Sequence, residues 1–307
     1  MPTPTGPHEE VLFHCAAAFA TGTAPAVSGR RWFRDPARND IQAELESQGW
    51  PPGHTHVLRS AGDKAARRTG GILSSTLALV TSLLLNENNV GGADTEPEEP
   101  ANEVDDFPVM WAAPGALARS LPWQLDPARR AEGYSTDLVV TTHRLLFLGT
   151  EIRTDLRTER RTDLGVLEHA EVLAEFPAEV LTDARQMRFS PLEADVRLTF
   201  ADGSWVRLFA GTGNSAERLA QMLAGTVRML PPSALTSGQR KEADRFCSGS
   251  RRHQPYPPTY ALLPSGTVLM EVRSPAKHAT GFFDVSFNLM TETGERTGPQ
   301  PGDPHIA

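Results

Sequence analysis

The sequence predicts an α+β fold: an antiparallel split barrel of β-strands, closed by one C-terminal helix and preceded by a helical N-terminal region. Three observations predict it. Short apolar runs between Pro108 and Phe209 alternate with a period of two, the repeat of a half-buried strand. Ala201-Asp202-Gly203-Ser204 separates two of these runs, a strong hairpin signal. Ala216, Leu219, Ala220, Leu223, Val227 and Leu230 then recur at helical spacing directly after the last run.

In chain order, Glu9 to Phe19 is rich in Ala and Leu-type residues and reads as helical, as does Asp40 to Gln48, where Ile41 and Leu45 stand four apart before Gly49 and Pro51-Pro52. Thr69 to Asn86 is uncharged and strongly apolar. As a helix it places Leu73, Leu77, Val80 and Leu84 on one stripe. At 1.5 Å per residue Gly70 to Leu85 spans roughly 24 Å, short of the roughly 30 Å of a bilayer core. Three readings stay open for this stripe: packing against a partner or a second copy of the chain, an interfacial membrane helix, or a short transmembrane span.

The formal charge of −8 is concentrated in one place. Eight carboxylates and no base fall between Asn86 and Phe107, whereas the net charge is +1 over 1–85, −2 over 108–230 and +1 over 231–307. Such a run buries too little apolar area to offset chain entropy and reads as a disordered linker. With no basic region, nucleic acid is not an expected partner.

After the linker, Pro108 to Ala112 is a short strand candidate. Leu138 to Thr141 and Leu145 to Leu148 flank a tight turn, and Leu164 to Phe176, Glu179 to Phe189, Val196 to Phe200 and Trp205 to Phe209 follow as strands. Asn214 with Glu217 predicts the cap of the closing helix, and Pro231-Pro232 its end. The tail contains three further strand candidates, Tyr260 to Leu263, Thr267 to Val272 and Phe282 to Met290, which would form an accessory hairpin. The expected divisions are therefore a helical region 1–85, an acidic linker 86–107, a β-barrel domain 108–230 and a Pro- and Gly-rich tail 231–307.

A first strand containing Trp111, a hairpin written LVVTTHRLLFL with Thr141, Arg144 and Leu145, the Asp-Gly hairpin Val196 to Phe209 and a closing helix resemble the bacterial pleckstrin-homology-like domains, including their GRAM-type variants, over about 108–230. The resemblance implies an interaction module that engages lipid, peptide or protein. Lipid-binding members gather Lys and Arg in their first loops. Here Arg119, Arg129 and Arg130 are offset by Asp126 and Glu132, and Arg153, Arg157, Arg160 and Arg161 alternate with acids.

No catalytic, cofactor or metal motif emerges. Gly211-Thr212-Gly213 precedes a helix, but it follows an antiparallel hairpin rather than a parallel crossover. His54 and His56 are too few ligands for a metal, and His14-Cys15 are adjacent residues that do not face each other on a helix. The expected function is thus a non-catalytic scaffold or binding module that engages a protein partner or a membrane surface. The alternatives are a membrane-anchored protein and an enzyme assembled from distant loops. The candidate surface is Trp123, Arg129, Arg130, His143 and Arg144. Two cysteines and a start without a signal-peptide pattern lead to a cytoplasmic expectation, peripheral at the membrane if the 70–85 helix docks there.

Overall fold

The computed structural model describes residues 5–6, 8–21, 32–52, 108–131, 134–151, 153–155, 160–162, 170–189, 193–249, 257–275, 283–304 and 306, with backbone alone at 153–155, 160–162, 249, 274–275 and 283–284. The apolar stripe Leu73, Leu77, Val80 and Leu84, the acidic linker 86–107 and the His54/His56 pair lie outside the described residues.

In chain order the strands are β1 (Val11–Ala16), β2 (Ala18–Phe19), β3 (Phe33–Arg34), β4 (Met110–Trp111), β5 (Tyr134–Thr141), β6 (Arg144–Glu151), β7 (Arg153–Asp155), β8 (Arg160–Thr162), β9 (Glu171–Pro177), β10 (Leu181–Met187), β11 (Asp195–Phe200), β12 (Trp205–Phe209), β13 (Arg228–Leu230), β14 (Thr259–Leu262), β15 (Val268–Pro275) and β16 (Phe283–Met290). The helices are α1 (Gln42–Ser47), α2 (Gly213–Leu223) and α3 (Ser237–Gly249).

The described residues form three sheets and a two-stranded ribbon, and the expectation of an α+β split barrel closed by a C-terminal helix is corrected. Among the described residues the architecture is mostly β, and no barrel closes. Sheet A runs β1-β5-β6-β9. Sheet B runs β10-β11-β12-β4-β3, with β2 also on β12. Sheet C runs β13-β14-β15-β16. Every described strand pair is antiparallel except β3 with β4.

The expected helical N-terminal region is also corrected. Val11–Ala16 pairs with β5, Cys15 opposite Leu138, and Ala18–Phe19 continues onto β12. Helix propensity over this stretch is overridden by pairing that puts Phe13 and Cys15 into the core. Of that region, α1 is the part found helical among the described residues, with Ile41 and Leu45 buried as their spacing predicts.

The closing helix differs as well. Thr212, not Asn214, caps α2, its hydroxyl accepting from the Ser215 amide at 3.1 Å. The helix stops at Leu223, because Gly225 adopts φ 71° and the chain turns into β13, so Val227 and Leu230 are not helical. Its apolar face lies against β10 and β11 rather than across an open end.

One core joins these layers. Leu138, Val140, Leu145, Phe147 and Phe176 from sheet A meet Val196, Leu198, Phe200, Val206 and Leu208 from sheet B, Ala216 and Leu219 from α2, and Ala261, Leu269 and Leu289 from sheet C. On the other face of sheet C, α3 covers a second cluster around Tyr260, Met270 and Met290.

Buried charges tie the layers together. Arg218 of α2 reaches Glu271 of β15 at 3.1 Å, both side chains nearly inaccessible. Arg207 and Asp195 pair at 2.7 Å with no exposure at all. In the Glu271-Val272-Arg273 stretch of β15 both charged side chains are buried, because β15 is covered on both sides.

Candidate functional site

The five residues singled out by sequence do not share one surface. Arg129 is buried: its guanidinium donates to the Pro51 carbonyl at 2.7 Å, pairs with Asp126, and lies 5.3 Å from the Phe33 ring and 5.4 Å from the Trp50 ring. It locks α1 and β3 to the body of the protein. Arg130 donates to the Thr136 hydroxyl at 2.6 Å, and Trp123 is half-buried against the core.

His143 and Arg144 do come together, at the β5–β6 turn. They line a cleft of about 240 Å³ with Gly6, His8 and Glu9. The Thr141 hydroxyl accepts from the Arg144 amide at 2.9 Å and from the His143 amide at 3.2 Å, which fixes the turn. Arg144 is held at 2.9 Å by Glu9 and also pairs with Glu175. That contact with Arg144 holds the Glu9 carboxyl down at about 2. Two carboxylates around one guanidinium leave no surplus positive charge for an anion here.

A second surface, absent from the sequence-based candidates, lies on the outer face of sheet B. Trp111 of β4 stands opposite Trp205 of β12, their rings 6.0 Å apart and 3° from parallel. Arg38 lies 5.7 Å from the Trp111 ring and Arg197 lies 5.4 Å from the Trp205 ring, giving a stack with a cation at each end. Alongside it, Arg185, Arg197 and Arg207 stand directly opposite one another across β10, β11 and β12. Arg38 and Arg185 are exposed and Arg197 and Trp111 half-buried.

Half of this surface was legible. In VRLTF and WVRLF the alternation puts Arg197, Thr199, Trp205 and Arg207 on the face away from the core. The Trp111 partner enters across more than ninety residues, and Arg38 adopts φ 67° in a turn. No local pattern encodes either.

His14 and Cys15 form no activated pair. Burial pushes the Cys15 thiol up to about 12. On the opposite face of β1, the His14 ring lies 3.1 Å from both the Pro257 carbonyl and the Arg273 Nη1. A carbonyl only accepts and a guanidinium only donates, so Nε2 carries the proton and Nδ1 accepts. Burial, then the neighbouring Arg273 charge, drives the ring well below its ordinary pKa of 6.5.

The sign of the pH effect follows from that shift. As pH falls below 6.5 the unfolded chain takes up a proton that the folded chain refuses, so this contribution to stability is complete above 6.5 and lost progressively below it. Urea midpoints should therefore drop between about pH 7.5 and about pH 5.5, and His14→Gln should flatten that dependence. A wild-type midpoint that stays level across this window would show that His14 is not held neutral.

Among the described residues, no group of three His, Cys, Asp or Glu side chains could hold a metal, and no helix is long and apolar enough to cross a membrane. Comparison with protein-family models, curated proteins and solved structures found no match to this chain.

Proposed function

We propose that this chain is a non-catalytic scaffold or binding module that engages a protein partner through the outer face of sheet B. The observation that carries this reading is the Arg38–Trp111–Trp205–Arg197 stack. Aromatic rings and guanidinium groups are the side chains most enriched where protein interfaces concentrate their binding energy. Here three of the four sit on paired strands, whose register holds them in place before any partner arrives, and Arg38 reaches the stack from the turn after β3.

The burial of Cys15, the internal use of His14 and the closed ion pair of Arg144 with Glu9 and Glu175 support a scaffold over a catalyst. Each chemically able group in these places is already committed to holding the fold.

Arg38 and Arg185 are exposed, so reversing both should leave the fold intact. Proteins retained from an extract of the source cells by the full chain should be lost with Arg38→Glu/Arg185→Glu, while the urea midpoint stays unchanged. Retention of the same proteins by both chains would place the docking surface elsewhere.

A further inference from the structure

We propose that β16, the outer strand of sheet C, pairs antiparallel with the same strand of a second copy of this chain about a two-fold axis at Val285. The surface is distinct from the face of sheet B, and the inference does not depend on that face.

The backbone supplies the first argument. In an antiparallel strand each residue sends its N–H and C=O to the same side, and successive residues alternate. The Leu289 carbonyl accepts from the Thr297 amide, so Leu289 turns its backbone away from β15. Phe287, Val285 and Phe283 therefore face the same way, whereas Met290, Asn288, Ser286 and Asp284 face β15. Among the described residues no strand lies beyond β16, and the Phe287 and Val285 backbone groups have no hydrogen-bond partner on that side. Such a row is a template for one kind of ligand, an extended backbone.

The other long edges are covered or blunted. β1 lies against β13 and β14. β9 carries an extra residue at Leu173, where Phe147 faces Ala174 and Leu148 faces Val172, and its Glu171 and Glu175 are exposed. β10 exposes Asp183 and Arg185. Bulges and charges of this kind keep edges from pairing with other chains. By contrast, β16 runs in unbroken register from Met290 opposite Val268 to Phe283 opposite Pro275, without Pro, Lys or Arg and with Asp284 as its one charged residue.

The sequence of β16 selects the occupant. The C-terminal segment takes up the strand at Leu289 and leaves Phe283, Val285 and Phe287 as the open row, which is symmetric about Val285. Turned about that point the row meets itself: Val285 stands opposite Val285, Phe287 opposite Phe283, and each copy's Asp284 opposite Ser286 rather than another carboxylate. Val285 and Phe287 are half-buried, and pairing continues their apolar row across the axis. A closed two-fold contact of this kind stops at two copies.

The test uses the full chain. Sedimentation equilibrium should show the mass doubling as concentration rises, and the Val285 and Phe287 amides should gain protection from hydrogen exchange over the same range. Val285→Pro removes an amide that β15 does not use, so the urea midpoint should hold while the dimer is lost. Ser286→Glu sets like charges opposite each other on both sides of the axis and should weaken the dimer by about tenfold, whereas Ser286→Lys sets opposite charges there and should not weaken it. Ser286 is exposed, so this pair of variants leaves the monomer intact even where a proline disturbs the strand.

A chain that stays monomeric at every concentration would overturn the inference, as would a dimer that Val285→Pro and Ser286→Glu both retain. A monomeric chain whose Val285 amide gains protection only when an extract of the source cells is added would give the edge to another protein and equally overturn self-pairing.

Discussion

Arg207→Ala should destabilise the protein by about 3–5 kcal/mol, a large share of the roughly 5–15 kcal/mol that holds a typical domain together. The guanidinium is wholly inaccessible, 2.7 Å from an equally inaccessible Asp195 carboxylate. It also lies 4.9 Å from the Phe189 ring and reaches toward the Pro108 carbonyl at 3.4 Å. Removing it leaves a carboxylate in the interior without its counter-ion, which costs far more than the pair contributes while intact.

The backbone of Arg207 adds to its position. Its amide donates to the Val109 carbonyl and its carbonyl accepts from Ala20, so the residue sits where β12 meets both the N-terminal strands and β4. A double replacement, Asp195→Leu with Arg207→Met, removes both charges together and should recover most of the loss. Equal destabilisation by the single and double variants, measured in urea, would show that packing rather than charge dominates the site.

The strands after residue 133 were largely readable, because most are short apolar runs, alternating as in β11 or continuous as in β6, next to a turn that the chain advertises. Asp202-Gly203 is the clearest case. Gly203 takes φ 80°, and Asp202 accepts hydrogen bonds from Ser204 and from the Leu117 amide across the loop. The hairpin at Thr141 to Arg144 was readable for the same reason.

What was not readable depends on partners distant in sequence. Val11–Ala16 reads as helical with the alanines around it, yet Val11 and Phe13 favour a strand, which forms because the edge of β5 accepts it. Gly225 lay inside an otherwise continuous helical repeat, and its positive φ ends α2 early. Glu271 and Arg273 look like surface residues until Arg218 and His14 arrive opposite them. The binding face suffers the same limit: sequence alternation exposes Arg197 and Trp205, but the second indole belongs to a strand encoded far away.

Sheets A and B close on one core, and Phe147 is where that closure can be tested. Its ring is fully buried and meets Phe176 edge-on at 6.1 Å, and Phe176 in turn lies 6.2 Å from Phe200 of sheet B. Phe147→Ala should cost about 3–5 kcal/mol through lost burial and the cavity left behind. Because the aromatic contact runs between sheets, the loss should be shared by both.

Amide hydrogen exchange reads this directly, segment by segment. In Phe147→Ala, protection of β6 in sheet A and of β11 and β12 in sheet B should fall by the same free energy, as expected of one cooperative unit. Loss of protection confined to β5, β6 and β9, with β11 and β12 unchanged, would mean that the two sheets fold separately and would contradict the shared core.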